Sequence, residues 1–125
     1  MGANDFSVQY DKDGPALILE IFVERVIADW WVRHVVVQKT IQSWAGTTDD
    51  AQADVAAVNV ATVTAGSSLN WLILLYAPDA EMSVEVTVDV RQGGELLGSK
   101  SIDVSLSARK ATQEAGTISL SAKEA

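Results

Sequence analysis

The segment from Met82 to Arg91 alternates so strictly that it reads as a half-buried β-strand. Val84, Val86, Val88 and Val90 share one side of the backbone, and Glu85, Thr87, Asp89 and Arg91 share the other. A period of two marks a strand with one buried and one solvated face. Gln92-Gly93-Gly94-Glu95 follows, and paired glycines supply the positive φ angles of a two-residue hairpin turn. The return strand carries Leu96, Ile102, Val104 and Leu106, with Ser101, Asp103 and Ser105 alternating against the last three. A hairpin with one apolar face needs a second layer to cover it. That requirement constrains the rest of the chain.

Other segments fit the same scheme. Leu69, Trp71, Ile73 and Leu75 alternate with Leu72, Leu74 and Tyr76, so Ser68–Tyr76 reads as a central strand apolar on both faces. Ala16 to Trp44 lacks glycine and proline, but 11 of its 29 residues are β-branched, which disfavours a helix. Leu17, Leu19, Ile21, Val23 and Ile27 form a period-two stripe there. Two strands are expected, with a break near Ala28-Asp29. A strand from about Val55 to Ala65-Gly66 is expected next, with room for one short helix near residues 48–54. After a polar loop from Lys110 to Glu114, Gly116 opens a final strand containing Ile118 and Leu120.

About seven strands result. One flat sheet cannot bury so many apolar faces, so the expected fold is all-β: an antiparallel two-layer β-sandwich, immunoglobulin-like or jelly-roll. The 125 residues suit one domain spanning 1–125, with loosely ordered ends at 1–6 and 123–125.

Composition narrows the function. A net charge of −8 opposes nucleic acid and anionic membranes, both of which call for clustered Lys and Arg. With no cysteine, disulfides and thiolate chemistry are impossible. Met1 to Phe6 does not resemble a signal peptide. A cytoplasmic protein is therefore the default expectation, or a secreted one whose signal has been removed.

Catalytic signals are sparse. His34 is the one histidine, and there is no glycine-rich phosphate loop and no Gly-x-Ser-x-Gly elbow. A non-catalytic protein without a cofactor is expected. Asp11-Lys12-Asp13-Gly14 opens like a calcium loop, but Phe22 stands where the bidentate glutamate belongs, so Asp11, Asp13, Asp49 and Asp50 are weak ligand candidates.

The tryptophans are more informative. Trp30 and Trp31 are adjacent and must point to opposite faces of a strand. The even side carries Trp30, His34, Gln38, Gln42 and Trp44, mixing aromatic plates with amides. Such a face suits a neutral glycan, and equally a subunit interface. Phe22, with Ile18 and Val26, adds an apolar side to a strand whose opposite side already supplies the core, which favours a homo-oligomer. Phe22, Trp30, Trp31, His34, Gln38, Gln42 and Trp44 are thus the candidate interface or ligand residues. Three functions are expected in order: self-association or protein–protein contact, carbohydrate binding as a lectin-like module, and toxin-like membrane activity.

Overall fold

The computed structural model describes residues 4–48, 54–77 and 79–124. It is a two-layer β-sandwich, as the alternation requires. Nine strands occur among the described residues: β1 (Phe6–Tyr10), β2 (Leu17–Val23), β3 (Ala28–Val36), β4 (Lys39–Thr48), β5 (Asp54–Val58), β6 (Ser67–Tyr76), β7 (Met82–Gln92), β8 (Glu95–Leu106) and β9 (Ala111–Ala122). One sheet has the order β1-β9-β6-β3-β4 and the other β5-β2-β7-β8. All pairings are antiparallel except that of β1 with β9.

The core lies between the sheets and is built from the expected alternation. Leu17, Leu19, Ile21 and Val23 of β2 and Val84, Val86, Val88 and Val90 of β7 all face inward. They meet Leu69, Trp71, Ile73 and Leu75 of β6. The β7–β8 turn forms at Gly93 and Gly94, with φ of 58° and 82°.

Nine strands replace seven for two reasons. β1 is short and carries few apolar residues, so its pattern is weak. It owes its place to pairing with β9, and at the same end the Lys123 N–H donates to the Tyr10 carbonyl. Phe6 thus pairs with Ile118, and Lys123 is tied to Tyr10. The second reason is a hairpin at Val37-Gln38 that splits the expected second strand into β3 and β4. Both residues have positive φ, 45° and 71°. A β-branched residue is a rare choice there, because its branched Cβ crowds the backbone. Replacing Val37-Gln38 with Asn-Gly should therefore stabilise the fold by about 1 kcal/mol, read as a higher midpoint of chemical unfolding. An unchanged or lower midpoint would show that Val37, which reaches the Gly66 turn, gives more by contact than its backbone costs.

Other boundaries also move. The break after β2 falls at residues 24–27, ahead of Ala28. It shifts the parity, so Val26 enters the core and Ile27 is 64% exposed, contrary to the expected stripe. β5 stops at Val58. Asn59 then caps a 3-10 turn over Val60–Thr62, its side-chain oxygen accepting from the Ala61 N–H. β9 begins at Ala111, so the expected polar loop is mostly strand. The short helix expected near 48–54 falls largely outside the described residues; Thr48 and Asp54 belong to strands.

Glycines set the spacing of the aromatic layer. Trp71 pairs directly across from Gly116, and Trp30 from Gly46. A Cβ on Gly116 would lie 2.6 Å from Trp71 Cζ2, and one on Gly46 would lie 2.7 Å from Trp30 Cζ2. Each indole lies over a neighbouring strand where only a hydrogen fits.

Candidate functional site

The two sides of β3 carry opposite chemistry, and the sandwich decides which side is free. β3 pairs with β6 so that Trp30, Val32 and His34 sit beside Ile73, Trp71 and Leu69 on the inward face. The even side expected to bind a ligand is therefore largely core. Trp30 is buried against Gly46, and His34 is wholly buried. Trp44 is half-buried at the rim, Gln42 is exposed at the β4 edge and Gln38 sits in the hairpin turn. These residues do not form one open surface. One signal in the sequence pointed this way: Arg33 lies on the odd side, and a lone arginine is the residue least suited to a core.

His34 Nε2 is 3.2 Å from Ser67 Oγ, and that oxygen accepts from the Thr64 N–H. His34 Nδ1 has no partner among the described residues. Burial holds the His34 pKa below its ordinary 6.5, because removing water penalises the charged ring. The pair is enclosed by core side chains, and a substrate reaching it would have to displace them.

The expected surplus of apolar surface on β2 is smaller than the sequence implies. Phe22 is 40% exposed on the outer face of the four-stranded sheet, and Val26 has joined the core. Ile18, Ala57 and Leu96 share that face with Phe22, and polar side chains occupy much of the remainder. Arg91 Nε donates to Glu20 Oε1 at 2.6 Å, and Ser99 Oγ donates to Asp89. Asp11 and Asp13 occupy an exposed turn in which Asp11 Oδ1 accepts the Asp13 N–H. Asp49 and Asp50 lie outside the described residues. Among the described residues no three acidic, histidine or cysteine side chains come together as a metal would require.

The notable surface is the outer face of the five-stranded sheet. A groove of about 830 Å³ crosses it, floored by β4, β3, β6 and β9. Two rows of side chains run across the strands. Ala45, Trp31, Leu72 and Ala115 are direct neighbours in the first, and Ser43, Arg33, Asn70 and Thr117 in the second. Residues two apart on a strand face the same way, so an apolar row lies alongside a polar one. Trp31 is 41% exposed, the one tryptophan with an open ring. Thr117 Oγ1 donates to Asn70 Oδ1 at 3.1 Å, and the Thr117 N–H donates to Asp5 Oδ1 at 2.9 Å, which fixes that end of the polar row. No carboxylate lies within salt-bridge distance of Arg33 among the described residues. Sequence reading named Trp31 but missed Arg33, Asn70 and Thr117, because strand pairing brings them together from distant segments.

Among the described residues no helix is long and apolar enough to cross a membrane. Compared with protein-family models, curated proteins and solved structures, the chain matches none. The class is thus given by the fold and the site together: an all-β sandwich with a groove across one outer face.

Proposed function

We propose that this protein is a non-catalytic binding and assembly domain in which two copies associate by pairing β4 with β4. The observation that carries this reading is the unguarded edge. β4 has ten residues and no proline, and its only charged side chain is Lys39 at its first position. Edge strands are normally blunted by shortness, charge or proline. The other edges follow that pattern. β1 and β5 have five residues each, and β8 carries Glu95, Lys100 and Asp103. An open edge offers main-chain donors and acceptors to another extended strand.

Charge favours a second copy as the occupant. Lys39 opens β4, and Asp49-Asp50 follow its last residue in the sequence. In an antiparallel pair about a two-fold axis, the basic start of each strand meets the end from which the other continues into that acidic pair. Trp44, half-buried near the strand midpoint, would be covered by the same contact.

Light scattering coupled to size-exclusion chromatography tests the reading. The expected mass at tens of micromolar is twice the 13.3 kDa of one chain. A Lys39→Glu, Gln42→Glu variant changes two exposed positions and reverses the charge match, so it should run as a folded monomer. A monomeric wild type overturns the reading. A variant that stays dimeric moves the interface away from β4.

A further inference from the structure

We infer that the groove on the outer face of the five-stranded sheet is a binding site for an acidic saccharide, a sugar ring bearing a carboxylate. The argument is independent of the β4 pairing.

Three features of the groove select this class. The first is the exposed indole of Trp31 within an apolar row, with Ala45 on one side and Leu72 on the other. Ala45 adds only a methyl group beside the ring, Trp31 keeps 41% of its surface exposed, and a pyranose presents C–H groups to such a plate. The second is the adjacent polar row. Asn70 and Thr117 already bond each other, so their remaining donors and acceptors are held in place to meet hydroxyl groups. Asp5 closes that end as an acceptor, which suits hydroxyl donors and repels a ligand carboxylate.

The third feature is Arg33, and it sets the charge of the ligand. In a chain of net charge −8, the guanidinium has no ion-pair partner among the described residues, although it lines the groove beside Trp31. Exposed arginines are commonly neutralised or simply solvated. Here Arg33 is flanked by Ser43 and Asn70, which bring no charge of their own. A guanidinium fork matches a carboxylate with two parallel hydrogen bonds. The polar row therefore runs from a cationic position at Arg33 to an anionic one at Asp5. An oriented sugar acid fits it with its carboxylate at Arg33 and its hydroxyls toward Thr117 and Asp5. Four strands at about 4.8 Å spacing give the row a length of about 14 Å, enough for more than one ring.

The probes are methyl glucuronide, methyl glucoside and benzoate, titrated against the full chain by calorimetry and by tryptophan fluorescence. Trp30 and Trp71 are buried and Trp44 half-buried, so a ring-stacking signal reports chiefly on Trp31. Saturable binding of the glucuronide is expected, at least tenfold tighter than the glucoside and weaker at high salt. Arg33→Gln should abolish the preference for the glucuronide while the glucoside still binds. Trp31→Ala should remove both responses. Both positions are exposed, so the variants should melt as the wild type does, which separates lost binding from lost fold. Equal affinities for glucuronide and glucoside overturn the inference. So does no saturable response to glucuronide at tens of millimolar, or a response to benzoate alone. Neither Trp31 nor Arg33 lies on β4, so these outcomes leave the mass of the particle unaffected.

Discussion

Trp71→Ala is expected to cost about 3–5 kcal/mol, among the largest losses any single substitution in this chain can produce. The indole fills the centre of the five-stranded sheet, with only 2% of its surface accessible, and its truncation leaves a cavity that rigid neighbouring strands cannot close. The partner position gives the complementary test. Gly116→Ala puts a methyl group 2.6 Å from the ring and 2.8 Å from the Asn4 main-chain oxygen. Overpacking of this kind costs about 1–3 kcal/mol. The two costs should not add. Once Trp71 is alanine, the ring clash disappears and only the Asn4 contact remains, so Gly116→Ala should cost clearly less in that background. Urea unfolding of the two single variants and the double variant measures the coupling. Additivity within about half a kcal/mol would mean that ring and glycine do not constrain each other.

The second large effect is acid lability centred on His34. The imidazole is buried and neutral, with its pKa below the ordinary 6.5 because water is excluded. The sign follows from linkage. Below pH 6.5 the unfolded chain takes up a proton that the folded chain resists, so acid favours unfolding. Stability from this residue is complete above pH 6.5 and is lost as pH falls from there toward the lower folded-state value. His34→Gln keeps a group able to hydrogen-bond Ser67 but cannot titrate. Its melting temperature should fall less steeply between pH 7 and pH 5 than that of the wild type. Parallel slopes would place the acid sensitivity elsewhere, in the carboxylates. His34→Ala should cost about 2–4 kcal/mol at neutral pH, from the cavity and the loss of a partner for Ser67.

Much of the architecture was legible locally. The Val84–Val90 alternation, the Gly93-Gly94 turn and the Leu17–Val23 stripe each specify an element from neighbours within a few residues. The hairpin at Val37-Gln38 was not legible, since its residues lack the usual turn chemistry and tertiary contacts hold them at positive φ. β1 was not legible because its five residues depend on β9, more than a hundred positions away. Which side of β3 turns inward was hard to read for a related reason. Trp30 and Trp31 are the same residue type, so the pair itself does not rank the two sides, and Arg33 on the odd side is the one local signal that does.

By itself the sequence determined the class of the protein: a two-layer β-sandwich whose strands are half-buried and whose cysteine-free chemistry excludes thiolate sites. Periodicity is a local property, and burial of one face follows from it. Tertiary structure alone decided which face of β3 turned inward, which strand became the long unguarded edge, and that Trp31, Arg33, Asn70 and Thr117 would share one groove. Those outcomes depend on the register between strands distant in sequence. A shift of one residue in that register would exchange every inward side chain for an outward one.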